Sequence, residues 1–173
     1  MQVFIGQRRQ NQPGRGVIPP LVAALALLGG REAHALDCQI SVTGVAFGTY
    51  DPVITVPTDS TGNVRVRCVH LAGGAVRANY TVDLSAGSSN SYAQRQMRSG
   101  TAVLNYNLYN SATRTQVWGN GIGGSVRVSN SLLVNPGNYV ENVADHPIYG
   151  RIPAAQAADT GMYTDTILVT MTF

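Results

Sequence analysis

The chain has 173 residues, with 12 Lys and Arg against 9 Asp and Glu, a formal net charge of +3 and a pI of about 9.1. Four of those basic residues (Arg8, Arg9, Arg15, Arg31) and one acid (Glu32) fall within the first 35 positions, so the remainder carries eight charges of each sign. A neutral body without a basic cluster excludes charge-driven nucleic-acid binding, and the high pI belongs to the leader alone.

That leader is ordered as a secretory signal: basic residues, an apolar run from Val17 to Leu28, then the small-x-small sequence Ala33-His34-Ala35. The run is too short to span a bilayer, which needs about 20 apolar residues. Gln10-Asn11-Gln12 after Arg8-Arg9 lacks the apolar residues of a twin-arginine signal, and Asp37 stands where a lipoprotein cysteine needs a small residue. The expected organisation is a cleaved leader over 1–35 and one domain over 36–173. Its two cysteines, Cys38 and Cys68, form an even pair in an exported chain, which predicts one disulfide and no metal site.

Along the domain, apolar residues alternate with period two and nowhere keep a helical period. Strands are predicted around Gln39–Phe47, over Asn63–Cys68 with Val64, Val66 and Cys68 inward, and over Arg77–Leu84 with Ala78, Tyr80, Val82 and Leu84 inward. Others fall around 102–109, 115–118, 125–134 and 147–152, and only Ala154 to Ala158 hints at a helical turn. Turn-forming clusters separate them at Asp59-Ser60-Thr61-Gly62, Gly73-Gly74, 87–90, 119–121 and 135–138. Short strands at this spacing predict an all-β sandwich.

From Asp165 onward, Ile167, Val169, Met171 and Phe173 share one face, with Thr166, Thr170 and Thr172 on the other and Leu168 out of phase. A strand that closes a chain has no hairpin partner after it. At a sheet edge it would expose backbone groups and an apolar strip, which another chain could cover by β-augmentation. The alternative is a strand inside a complete sandwich.

Nothing in the domain assembles an enzyme. His70 and His146 are isolated, the first in phase with the inward side of its strand and the second in an Asp145-His146-Pro147 turn; no G-x-S-x-G elbow is present, and Asp51, Asp83, Asp145 and Asp165 are dispersed. Gly119-Asn120-Gly121-Ile122-Gly123-Gly124 precedes a strand-like segment, where a phosphate loop needs a helix, so it reads as a hairpin loop. Trp118 and the tyrosines read as core and interface residues, with a carbohydrate-binding surface as the alternative.

Ordered blocks over residues 38–173 resemble the spore coat protein U domain family. They are Cys38, Phe47-Gly48-Thr49-Tyr50-Asp51-Pro52, Cys68, Arg95-Gln96-Met97, Leu104-Asn105-Tyr106-Asn107-Leu108-Tyr109, Trp118-Gly119, Tyr149-Gly150-Arg151-Ile152 and Gly161-Met162-Tyr163-Thr164-Asp165-Thr166-Ile167. The resemblance implies an incomplete immunoglobulin-like antiparallel β-sandwich completed by a donated strand, and a secreted subunit of an archaic chaperone–usher pilus serving adhesion or biofilm formation. The implied partners are a periplasmic pilus chaperone, an outer-membrane usher, neighbouring pilin subunits and a host or abiotic surface, with no cofactor. The implied acceptor groove is lined by Val42, Val45 and Phe47 on the first strand and Ile167, Val169, Met171 and Phe173 on the last, with the Phe173 carboxylate as a chaperone anchor. Polymerising pilins carry an alternating apolar extension before the first cysteine, whereas only Leu36-Asp37 would precede Cys38 here. The expectation is a subunit that accepts a strand without donating one, at a pilus tip or terminus. The other reading is a passive spore-coat or extracellular matrix protein assembled without an usher.

Overall fold

The structure is a computed structural model, and it describes residues 1–10, 36–71, 73–136 and 142–173. The alternating segments become strands, because a pleated chain with one apolar face can bury that face while its backbone pairs with neighbours. In chain order they are β1 (Gln2–Gln10), β2 (Leu36–Thr43), β3 (Thr58–His70), β4 (Val76–Leu84), β5 (Arg95–Ser99), β6 (Ala102–Tyr109), β7 (Val128–Val134), β8 (Asn142–Ile152) and β9 (Thr164–Thr172). A single 3-10 turn at Gly87–Ser89 is the helical content among the described residues, and 154–158 forms no helix.

One layer runs β2, β3, β8 and ends on the last residues of β6. The other places β9 between β4 and β1, with β7 outside β4 and β5 joined at Arg98 and Thr164. Strand β6 ties the layers together: Ala102 to Tyr106 pair with β5, and Asn107 to Tyr109 pair with β8. Every ladder is antiparallel except that of β1 with β9, which is parallel.

The inward faces are those the alternation predicts. Val64, Val66 and Cys68 of β3 are buried, as are Ala78, Tyr80, Val82 and Leu84 of β4 and Ile167, Val169 and Met171 of β9. Leu168, the out-of-phase residue, stays 40% exposed. Trp118 is fully buried and its indole N–H donates to Val82 O at 2.9 Å, so it is core and presents no surface to a glycan.

Several local expectations need correcting. Asp59-Ser60-Thr61-Gly62 is no turn but the opening of β3, paired with β8. Its turn-type residues serve close approach instead: a Cβ on Gly62 would lie 2.6 Å from Thr43 O, and the Ser60 hydroxyl donates to Ala46 O at 2.6 Å. Asp145-His146-Pro147 lies inside β8, where the proline is tolerated because β6 covers β8 only at Tyr149 to Arg151. The segment 115–118 makes isolated bridges only, and β7 begins at Val128. Two strands were not among those expected, β5 and β1. Of the expected leader, residues 11–35 lie outside the described residues, while residues 2–10 form β1.

Cys38 and Cys68 face each other across the β2–β3 ladder and are joined by a disulfide. The bridge closes a loop with a sequence separation of 30, for which loop-closure entropy gives about 3 to 4 kcal/mol. Replacing both cysteines by alanine should lower the unfolding free energy by about that amount, read as a fall in the urea midpoint together with a steeper slope, because the unlinked denatured chain exposes more surface.

Candidate strand-acceptor site

Strand β9 and the chain from Ile40 to Phe47 are the two banks of a groove, and β1 lies in it. Along one bank, β1 pairs with β9 in parallel register from Gln2 with Thr164 to Gln10 with Thr172. Along the other, Val3 N donates to Val45 O at 3.0 Å and Phe47 N donates to Met1 O at 3.0 Å. The α-amino group of Met1 reaches Gly48 O at 2.8 Å. Approach is close enough that a Cβ on Gly44 would lie 2.6 Å from Val3 O. Farther along, the side-chain amide of Gln7, with its oxygen and nitrogen assigned to match their neighbours, donates to Ile40 O at 2.9 Å and accepts from Val42 N at 3.2 Å.

The groove residues expected from the sequence take distinct positions. Val45 and Phe47 lie beyond the end of β2, buried at the level of Val3. Phe47 meets Tyr106 edge to face at 6.0 Å. Gly150 makes room for both, since a Cβ there would come within 2.6 Å of Phe47 and 2.8 Å of Val45. Val42, half-buried, stands across β1 from Val169, with Gln7 between them. Ile167, Val169 and Met171 are fully buried, and Phe173 is half-buried past the last paired residue. Phe173, packed at the margin of the core, borders a cleft of about 770 Å³ with Tyr80, Asn130 and Thr172.

The start of β9 is held by a buried polar knot that sequence reading treated as scattered residues. Asp165 is 5% exposed. One carboxylate oxygen accepts from Ser88 N at 3.0 Å and Thr166 N at 2.8 Å; the other accepts from the Tyr106 hydroxyl at 2.7 Å. Burial and the adjacent carboxylate push the Tyr106 phenol far up, so it remains a donor. Beside it the fully buried Arg95 donates to Ser85 O at 2.8 Å, Trp118 O at 2.7 Å and Asn107 Oδ1 at 2.7 Å. Burial lowers the Arg95 pKa, while nearby Tyr106, Tyr92 and Asp165 oppose that shift. The signal available in the sequence was the pair of charged residues in phase with apolar ones: Arg95 with Met97, and Asp165 with Ile167.

His146 bridges the two layers. Its Nε2 is 2.9 Å from the Tyr80 hydroxyl, and its ring meets those of Tyr80 and Trp118 edge to face. Burial pulls its pKa below the usual histidine value, with Asp145 opposing. Asp145 itself forms a fork with Arg65 at 2.8 Å, and Asn63 and Arg65 hold its pKa down. Asp83 pairs with Arg127 at 3.2 Å. Ser125 N donates to Ile122 O at 3.0 Å, closing the Gly-rich loop as a turn with positive φ at Gly121, Gly123 and Gly124. Among the described residues no group of three or more His, Cys, Asp or Glu could hold a metal ion.

Asp165→Ala should cost about 3 kcal/mol, because it strands the Tyr106 hydroxyl and two backbone donors; chemical denaturation reads this directly. The histidine gives a pH dependence with a defined sign. Its folded pKa lies below the unfolded value of about 6.5, so the unfolded chain takes up the proton first. The contribution is complete above that pH and declines as pH falls below it. His146→Gln should flatten the denaturation midpoint between pH 7.5 and 5.5, leaving the more acidic loss from Asp145 in place.

Comparison with known proteins agrees with this architecture. The Spore Coat Protein U domain matches residues 24–170. Protein U of Myxococcus xanthus is 32% identical over 134 residues, covering 73% of this chain and 70% of that protein. Among solved structures, the chain resembles one in the CsuC–CsuE chaperone–tip adhesion subunit pre-assembly complex from the archaic chaperone–usher Csu pili of Acinetobacter baumannii. The TM-score is 0.53 at 25% identity, over 80% of this chain and 40% of the matched chain's length. The two-layer antiparallel sandwich is thus of the immunoglobulin-like pilin type, and the chain belongs to the Spore Coat Protein U domain family.

Proposed function

We propose that this protein is an exported structural subunit of a chaperone–usher surface pilus, assembled by accepting an extended strand from another chain. The observation that supports this most directly is the ladder on β9. The neighbour that fills it comes from outside the 36–173 body and runs the full length of the strand, from Thr164 to Thr172. Among the described residues, ladders from that body reach β9 at Val169 to Thr172, on β4, and at Thr164, on β5, and Ser85 N donates to Leu168 O. A groove with a nine-residue backbone edge and an apolar floor is built for a strand, and any extended chain can satisfy the backbone part.

In this reading a periplasmic chaperone supplies the strand before secretion, an outer-membrane usher directs assembly and a neighbouring pilin supplies it in the fibre. Removal of a leader over 1–35 delivers the domain to the cell exterior, where the Cys38–Cys68 disulfide persists. A tip position, with adhesion to a host or abiotic surface, is supported by the short polar stretch ahead of Cys38. The similarity to a chaperone–tip subunit complex also favours it. The relation to Protein U favours a second reading, a coat or matrix protein that assembles without an usher. A chaperone gene and an usher gene beside this one would decide for the pilus.

The test is strand exchange. The oxidised protein, purified with its pilus chaperone, is mixed with synthetic amino-terminal peptides of neighbouring pilins. Release of chaperone and formation of a stable peptide complex is the expected result. A folded monomer that binds neither chaperone nor any such peptide would overturn the proposal.

A further inference from the structure

The loop after Trp118 carries chemistry that the sandwich does not use. Its sequence, Gly119-Asn120-Gly121-Ile122-Gly123-Gly124, holds the one Asn-Gly step in the chain. The base of the loop is fixed: Gly119 N donates to Val126 O at 2.8 Å, and Gly119 O accepts from Leu84 N at 3.3 Å. Its tip is open, with Asn120 half-buried and Gly121 to Gly124 exposed.

Three features favour attack of the Gly121 nitrogen on the Asn120 side-chain amide. Gly121 has no side chain to crowd that approach, and its φ of +86° is one that glycine adopts without strain. Asn120 Oδ1 accepts from Ile122 N at 3.2 Å, a donor already aimed at the oxygen on which negative charge develops. The Arg127 guanidinium lies alongside, 2.8 Å from Asn120 O and 3.7 Å from where a Cβ on Gly121 would stand, and a cation so placed eases removal of the Gly121 amide proton. Asn107 and Asn130 differ: the N–H groups of Leu108 and Ser131 that follow them are held on the asparagines' own Oδ1 at 3.0 and 2.8 Å.

We propose that Asn120 is a site of spontaneous deamidation in the folded protein. Solvent base removes the Gly121 amide proton, the nitrogen attacks Asn120 Cγ, and the bond from Cγ to Nδ2 breaks with release of ammonia, leaving a succinimide. Water opens that ring at either carbonyl to aspartate or isoaspartate, so that overall one water enters and one ammonia leaves. The product adds a negative charge to a 36–173 body that otherwise balances, beside the Asp83–Arg127 pair at 3.2 Å. In isoaspartate the chain runs through the former side-chain carbonyl, which displaces the oxygen that Arg127 holds while the base of the loop stays anchored. This chemistry needs only the folded domain and is independent of strand acceptance.

The disulfide-bonded protein is aged at pH 6 and at pH 8, digested with trypsin and mapped by mass spectrometry. Cleavage at Arg114 and Arg127 yields the peptide 115–127, in which Asn120 is the sole asparagine. The expected result is a gain of about 1 Da in that peptide, resolved by chromatography into aspartate and isoaspartate forms, with Asn120→Asp as the standard for the first. The gain should be faster at pH 8 and about tenfold faster than at any other described asparagine. Synthetic peptide 115–127, aged in parallel, should convert within about threefold of the protein's rate, because the aligned donor offsets the lost freedom of the loop. An Asn120 that stays intact in the folded protein while the free peptide converts would overturn the proposal. So would conversion spread evenly over the asparagines.

Discussion

The whole arrangement depends on one shortage: the last strand has too few partners within its own domain. β4 covers four residues of β9 and β5 touches one, while the opposite edge is paired by β1 from Thr164 to Thr172. A strand buried on its inward face but unpaired along a backbone edge carries hydrogen-bonding groups that some other strand must satisfy. The groove, its apolar floor and its need for an occupant all descend from that shortage.

What keeps β9 in place despite it is polar. Asp165 is gripped by the Tyr106 hydroxyl and by backbone N–H groups of Ser88 and Thr166. Arg95 binds the carbonyls of Ser85 and Trp118 from the neighbouring β5. Such a knot is directional, so it sets the position of the first residues of β9 more sharply than burial alone can. The opposite end relies on β4 and on the groove's occupant. The strand is therefore firm where it starts and dependent where it ends.

The opposite bank is built by different means. The disulfide locks β2 to β3, and β3 is locked in turn to β8 over Thr58 to Ile152 through Cys68 to Asn142. That layer is complete without the occupant. Val45 and Phe47 then hang from its edge into the groove, where glycine at 150 leaves space for them. The two layers thus differ: one is cross-linked and pairs without β1, and the other pairs β9 along its full length only through β1.

The sequence by itself determined the class of fold, the faces of β3, β4 and β9 and the disulfide. Each follows from period-two alternation or cysteine count, which are properties of one segment or of the whole chain. Leu168 was recognised as the odd residue on β9 and is the exposed one. Tertiary structure decided the rest. Asp59 to Gly62 reads as a turn because Asp, Ser and Gly favour turns, yet the same small residues are what permits close packing of β3 on 43–46. Asp165, Arg95 and Tyr106 lie far apart in sequence, so their knot could only be seen once the strands met. Residues 2–10 read as the charged start of a leader; that Val3 and Ile5 would lie along β9 depends on a vacancy more than 150 residues away in the chain, and no local pattern records it.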